Sequence, residues 1–371
     1  MRIGIDARPF TKSYKSGIAV YLENLLVHLP KEIQGKEHII YLYAHKQFSF
    51  PKASTNMVLR TGGGHVPGTL WVQARLPWLL AKDSIDVFWG TQHVIPLIKA
   101  GRIKMALTIH DLVFKRFPET VEWTNLLINQ SLVSSSLKKS DIILAVSHST
   151  TNDLHHFYPR LNKPIEQVLP GVDNTFTRIY KTAAKDYVKS KFGIEQPFIL
   201  VVGTQEPRKN FITAFRAFNR LASTIPHLLV SVGQMGWKIE HVLQEINGKN
   251  LSQRVRFLNY VQAEDLPRLY SAADVFLFPS LYEGFGIPPL EAMACSCPVI
   301  TSNTSSLPEV VGDAGIQLPP LDVQLWADKL KSVLQDKQLQ EKMSQAGLRQ
   351  AKKFTWERSS AKLWDIFKKL V

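Results

Sequence analysis

Cysteine is almost missing from this chain of 371 residues: Cys295 and Cys297 are the only two. Two thiols make no disulfide framework, and with no Cys or His cluster beside them they make no zinc site. Both lie in an apolar segment and read as small buried hydrophobes. No apolar run is long enough to span a bilayer. The opening Met-Arg-Ile-Gly-Ile-Asp enters a strand pattern directly, without the layout of a signal peptide, so a cytoplasmic location is expected. Absent too are G-x-G-x-x-G, G-x-S-x-G, H-E-x-x-H and D-x-D. That leaves no dinucleotide fingerprint, no hydrolase elbow and no motif for a divalent metal. Neither a metal nor a cofactor is expected.

Acidic residues are in short supply: 31 Asp and Glu stand against 45 Lys and Arg, a net charge of +14. Such an excess suits a nucleic acid, an anionic lipid surface or an anionic substrate, and is also compatible with a plainly solvated surface. The basic residues are spread along the chain and no nucleic-acid motif is present, so nucleic acid is not an expected partner.

What the chain does have is alternation. Strand-like runs at 3–7, 38–44, 86–90, 105–110 and 141–146 are separated by helical patterns at 18–28, 72–82, 123–139 and 150–156. The second half repeats the scheme, with strands at 198–202, 228–232, 255–260, 275–278, 299–301 and 316–318. Helical patterns there fall at 211–222, 263–271, 289–294, 323–335 and 338–353, and an amphipathic one closes the chain at 356–370. Alternation of this kind predicts parallel βα units, and the length predicts two domains. The expected fold is α/β, two Rossmann-like doubly wound domains divided at 1–175 and 176–354, with the linker within 171–191.

One stretch organises the rest: Pro279-Ser-Leu-Tyr-Glu-Gly-Phe-Gly-Ile-Pro-Pro-Leu-Glu-Ala-Met-Ala294. An apolar strand precedes it, a loop with two glycines follows, and Pro288-Pro289 opens a helix, where a missing N–H costs nothing. The free N–H groups of that helix start and the glycine loop suit a phosphate. Glu283 and Glu291, eight positions apart, would repel the same phosphate. They are better explained as acceptors for hydroxyls on either side of it. A ligand with a central diphosphate and a hydroxyl-rich ring at each end, a nucleotide sugar, fits. Glu291 would also serve as a complement to the helix dipole, and Glu283 as a solvated loop charge.

Four further segments carry candidate chemistry. Gly203-Thr-Gln-Glu-Pro-Arg-Lys-Asn210 sits between a strand and a helix, where Arg208 and Lys209 can neutralise a diphosphate, most of all as charge grows on a departing nucleotide. His110-Asp111 ends a strand, which suits polar contact or proton handling, with Asp111 expected to orient the ring. Ser16-Gly17 precedes a helix, where Gly17 brings backbone close to a ligand or simply starts the helix. Trp71-Val-Gln-Ala-Arg-Leu-Pro-Trp78 is aromatic, basic and amphipathic, and reads as core packing or as a membrane-seating face.

E-G-F-G-I-P-P-L-E-A-M-A, with Pro298-Val-Ile300, Ser306-Leu-Pro-Glu-Val310 and Gly312-Asp-Ala314 after it, resembles the E-x7-E region of retaining glycosyltransferase family 4, whose fold is GT-B. The resemblance implies two domains facing a central cleft, an N-terminal acceptor domain and a C-terminal nucleotide-sugar domain, and a last helix (355–371) that returns to the N-terminal domain. It implies catalytic roles for Glu283 on the sugar hydroxyls, Lys209 and Arg208 on the diphosphate, and His110 beside the transferred sugar. Donor binding then falls to Glu291 on the ribose and to the backbone of Phe285, Gly286 and Ile287. Gly203, Thr204, Gly17 and Tyr260 complete the donor contacts. Many family members carry Arg where Thr204 stands and a second Gly where Ala19 stands, so Arg208 is expected to take over the missing task. The missing D-x-D agrees with the family's metal-independent chemistry.

The variant G-T-x-E-P-R-K-N with S-S-L-P-E-V is similar to bacterial polysaccharide mannosyltransferases. GDP-mannose is therefore the first expected donor, and UDP-glucose or UDP-N-acetylglucosamine the second. The implied acceptor is a saccharide or a lipid-linked saccharide, with peripheral association at the inner face of the membrane. A GT-B phosphorylase or a non-catalytic nucleotide-sugar binding protein remain as other classes.

Overall fold

Runs such as Phe-Ile-Leu-Val-Val at 198–202 carry no charge on either face, and only a strand buried on both sides accommodates that. Two parallel sheets result. The computed structural model describes the chain apart from residues 13–15, 31–32, 34–36, 51, 53, 65, 100, 237–239 and 249–250. It divides into two compact units, Met1–Gly171 with Thr355–Val371, and Val172–Phe354. The boundary falls a few residues before the division drawn from the sequence.

The first unit holds seven parallel strands: β1 (Arg2–Asp6), β2 (Ile39–Ala44), β3 (Met57–Thr61), β4 (Val87–Gly90), β5 (Lys104–Ile109), β6 (Ile142–Ala145) and β7 (Ile165–Gln167). Their order in the sheet is β3-β2-β1-β4-β5-β6-β7. The intervening helices are α1 (Gly17–Val27), α2 (Gly68–Ala74), α3 (Leu76–Lys82), α4 (Val113–Arg116), α5 (Trp123–Lys139) and α6 (His148–Phe157). The single helical pattern read at 72–82 is two helices, because Pro77 cannot supply an N–H and sets a new first turn after Arg75. One face of the sheet packs on α2, α3, α5 and α6 through Trp71, Leu76, Leu80, Val133 and Leu137.

The second unit has six parallel strands: β8 (Phe198–Val202), β9 (Leu228–Val232), β10 (Val255–Phe257), β11 (Val275–Phe278), β12 (Val299–Ser302) and β13 (Ile316–Leu318). They are ordered β10-β9-β8-β11-β12-β13. Among the described residues eight α-helices accompany them: α7 (Lys181–Phe192), α8 (Phe211–Leu221), α9 (Glu240–Gly248), α10 (Leu266–Ala272), α11 (Ile287–Ala294), α12 (Leu307–Val311), α13 (Val323–Gln335) and α14 (Lys337–Ala351). The linker region becomes α7, stopped by Gly193 in the left-handed conformation (φ 65°) and packed on α10. β10 ends at Phe257, sooner than the run to 260 suggested, since Asn259 turns left-handed.

The last helix, α15 (Trp356–Leu370), belongs to the first unit. Leu363, Trp364 and Phe367 close the second face of that sheet together with Leu25, Ile3 and Trp89. Ser360 donates to the Leu25 carbonyl at 2.9 Å, fixing the helix on α1. Among the described residues no helix is long and apolar enough to cross a membrane.

Candidate active site

In each sheet the strand order reverses at one point, and ligands of doubly wound folds bind there, beyond the carboxyl ends of the strands. In the second unit the reversal lies between β8 and β11, which are hydrogen-bonded neighbours. The turn after β8 carries Arg208 and Lys209, and the loop after β11 carries Glu283. Topology therefore brings together side chains about 75 residues apart.

Glu283 is buried. Its carboxylate accepts from Arg208 at 2.8 Å, from Lys209 Nζ at 2.6 Å and from Ser280 Oγ at 2.5 Å. Burial pushes this carboxyl up, but the Arg208 and Lys209 charges outweigh it and hold it at about 2. Burial draws Lys209 below its usual value, with Glu283 opposing and Arg208 assisting. Arg208 also donates to the Tyr282 carbonyl at 2.6 Å and to Glu206 at 2.6 Å. Two carboxylates thus alternate with two cations. Lys209 Nζ stands 5.0 Å from the centre of the Phe278 ring, which closes that side with apolar surface.

The loop geometry has identifiable supports. Asn210, left-handed at φ 51°, donates to the carbonyls of Pro279 and Pro320 at 3.0 and 2.8 Å, tying the β8 turn to the β11 loop. Ser305 accepts from the Glu283 N–H at 2.9 Å, and Ser306 donates to the carbonyls of Glu283 and Phe285. Gly286 opens α11 at φ 115°, and a Cβ there would lie 2.8 Å from Leu307. Glycine is required on both counts. The Phe285 ring is buried and meets Phe354 edge-on at 5.6 Å, so only its backbone is available to a ligand. Ile287 is the first residue of α11, whose early N–H groups have no partner within the helix.

Glu291 has a different environment. Tyr270, fully buried, donates to it at 3.1 Å. Burial pushes its carboxyl up to about 8, with Asp173 adding to the rise and the Tyr270 bond opposing it. The sequence predicts a charged acceptor; with no cation beside it among the described residues, the carboxyl is mostly the neutral acid at neutral pH. Gly203 lies at φ 144°, and the loop after β9 packs against it so closely that a Cβ on Gly233 would sit 2.1 Å from its carbonyl oxygen. Thr204 is exposed, and Tyr260, half exposed, follows Asn259, whose carbonyl accepts from Gly233 at 2.7 Å.

In the first unit the reversal lies between β1 and β4. His110, at the end of β5, has its ring fixed by Nε2 donating to the Thr91 carbonyl at 2.9 Å, and meets Tyr21 of α1 edge-on at 5.3 Å. Burial and the neighbouring His93 lower it to about 4. Asp111 does not hold the ring as the sequence suggested: its Oδ1 accepts from the Val113 N–H at 3.1 Å and starts α4. Gly17 is the first residue of α1, capped by Ser16, and a Cβ on it would meet nothing within 4 Å. Of the Trp71–Trp78 segment, Trp71 and Leu76 are core, whereas Trp78 is 56% exposed, with Arg75 and Lys82 lying 5.9 and 5.3 Å from its ring. The sequence reading passed over Tyr270, His93, Thr91 and Glu206. Only Glu206 lay inside a quoted motif.

Two doubly wound sheets with a cation–carboxylate cluster at a switch point fit a glycosyltransferase, and comparison with known proteins shows that class. Residues 184–350 match the family described as Glycosyl transferases group 1, and residues 15–176 match Glycosyltransferase Family 4. O-antigen chain mannosyltransferase B of Escherichia coli is 31% identical over 310 residues, covering 80% of this chain and 77% of that one. O-antigen chain mannosyltransferase RfbU of Salmonella typhimurium is 27% identical over 265 residues, 71% of this chain and 69% of its own. Against the serotype-specific mannosyltransferase WbdA of Escherichia coli the match spans 30% of that protein's length. In fold, sucrose-phosphate synthase of Thermosynechococcus elongatus is similar at a TM-score of 0.78, covering 100% of this chain and 98% of that one at 18% identity. The chain belongs to glycosyltransferase family 4.

Proposed function

We propose that this glycosyltransferase moves mannose from GDP-mannose to a hydroxyl of a saccharide, free or lipid-linked, with retention of anomeric configuration. The observation that carries the reading is Glu283 clamped between Arg208 and Lys209 at the β8–β11 reversal. In this reading the two cations and the start of α11 meet the diphosphate. As negative charge builds on the departing nucleotide, they stabilise the transition state more than the ground state. Their charge takes the place of a divalent ion. Glu283, kept ionised, accepts a hydroxyl of the transferred sugar, Glu291 takes the ribose, and His110 serves the sugar and acceptor. Bond exchange on one face through an oxocarbenium-like state needs no protein nucleophile. Mannose is supported by the names of the two O-antigen relatives. A lipid-linked acceptor would bring Trp78, Arg75 and Lys82 against an anionic membrane.

UDP-glucose or UDP-N-acetylglucosamine is the second reading; a relative from Bacillus anthracis, 28% identical over 272 residues, has an N-acetylglucosaminyl group in its name. Melting the protein with a panel of GDP-, UDP- and ADP-sugars decides between them. A ligand at 100 times its dissociation constant stabilises the native state by about 2.7 kcal/mol. GDP-mannose is expected to give the largest shift. A shift from UDP-sugars alone replaces the donor, and no shift from any of them removes the donor reading.

A further inference from the structure

We infer that His93 and His110 form a matched donor–acceptor pair that reads two neighbouring hydroxyls of a sugar ring. The inference rests on the glycosyl-transfer reading above and gives His93 a binding role. Both histidines stand at the carboxyl ends of adjacent strands, β4 and β5, and β4 borders the strand-order reversal of the first sheet. Their ring centres are 5.7 Å apart.

The tautomer of each ring follows from its partner. A carbonyl oxygen only accepts, so the Nε2 of His110 that meets the Thr91 carbonyl at 2.9 Å carries the proton, and Nδ1 is left as an acceptor. A backbone N–H only donates, so the Nε2 of His93, 3.0 Å from the His110 N–H, carries none, and its Nδ1 carries the proton. Neither Nδ1 has a hydrogen-bond partner among the described residues, which leaves one acceptor and one donor uncommitted. Burial lowers both rings below their usual value, with His93 assisting the fall at His110, so each is neutral near pH 7. The other charged or titratable neighbour that bears on both is Asp111, which opposes the fall in each case.

His93 is also held in a left-handed backbone conformation, φ 60°, with its N–H on the Thr108 carbonyl at 3.2 Å. Such a conformation is uncommon outside glycine and clusters at functional sites. The pair offers one acceptor and one donor on rings whose centres are 5.7 Å apart. A fully ionised phosphate or phosphodiester brings no proton for His110, and an ammonium brings no acceptor for His93. Neighbouring hydroxyls bring both, since each can give or take a hydrogen bond. These hydroxyls belong either to the transferred sugar or to the acceptor saccharide.

The test uses the full chain labelled with 15N-histidine. Two-bond 1H–15N spectra are expected to show His93 protonated at Nδ1 and His110 at Nε2, and the opposite tautomer at either one overturns the inference. Binding of GDP, GDP-mannose and methyl α-D-mannopyranoside is then compared in wild type, His93→Ala and His93→Asn. GDP affinity is expected to stay the same in all three. His93→Ala is expected to weaken one of the two sugar ligands about tenfold. His93→Asn, which tolerates the left-handed backbone and keeps an N–H donor, is expected to restore part of it. A loss for GDP-mannose places the transferred sugar on the pair, and a loss for the mannoside places the acceptor there. Unchanged affinity for both sugars, with neither Nδ1 signal moving when they are added, overturns the inference. Failure of wild type to bind GDP-mannose at all counts against the donor reading alone, because the tautomers and the mannoside still judge the pair.

Discussion

Glu283 and Glu291 belong to one short motif, yet their surroundings push them apart. Glu283 meets two cations and a hydroxyl and is held at about 2; Glu291 is buried against a tyrosine hydroxyl, with the Asp173 charge adding to the rise, and is pushed up to about 8. The difference is the turn after β8, which reaches Glu283 with Arg208 and Lys209. Divergent carboxyl pairs of this kind mark a division of labour in active sites. Glu283 is a permanent charge that organises the cations. Glu291 is held mostly neutral by its burial.

The largest effect expected is at Glu283. Glu283→Ala leaves Arg208 and Lys209 facing one another without their shared partner, and breaking a buried pair costs about 3–5 kcal/mol. Chemical unfolding is expected to show that loss, and kcat is expected to fall by about 10²–10³. A variant that keeps full turnover removes Glu283 from the site. Next comes Lys209→Met, expected to lower kcat/KM by about 10² while losing less stability, since the ammonium is itself disfavoured by burial. Steady-state kinetics with the donor varied would expose equal losses at the two positions, which contradict the asymmetry.

Glu291→Gln should be milder and split in sign. Donor binding weakens about tenfold, whereas the fold gains at alkaline pH. The folded carboxyl is raised from 4.5 to about 8, so its contribution is fully present below pH 4.5 and is lost as pH rises through about 8. The amide has no such loss, and each kcal/mol recovered raises the melting temperature by about 2–4 °C. Glu283 behaves oppositely: its contribution is present above pH 4.5 and is lost as pH falls toward about 2. Melting scans from pH 4 to pH 9 that show no advantage for Glu291→Gln above pH 8 would remove the proposed burial penalty. The smallest effect concerns metal. If Arg208 and Lys209 supply the counter-charge, turnover in excess EDTA equals turnover without it, and an EDTA-sensitive rate contradicts that.

Much of this was legible in the sequence where burial is two-sided. β8, β9 and β11 are largely apolar, buried runs whose bounds match the pattern residue for residue. β3 and β7 went unread because Arg60, Thr61, Glu166 and Gln167 break the apolar pattern of two partly exposed strands. α9 was missed as a short helix whose apolar positions are few. The site residues were legible as motifs, but the clamp was not: nothing local says that Glu283 pairs with residues 208 and 209, which only the sheet order brings near. The partner of Glu291 was equally hidden, since Tyr270 sits in an ordinary helical pattern on α10.

The contrast between the two carboxyls is measured most directly by 13C titration of the labelled glutamate side chains, assigned through Glu283→Gln and Glu291→Gln. The Glu283 signal should stay in its ionised position down to pH 4, and the Glu291 signal should move with a midpoint near 8. Two curves lying together near the ordinary glutamate value of about 4.3 would contradict the account.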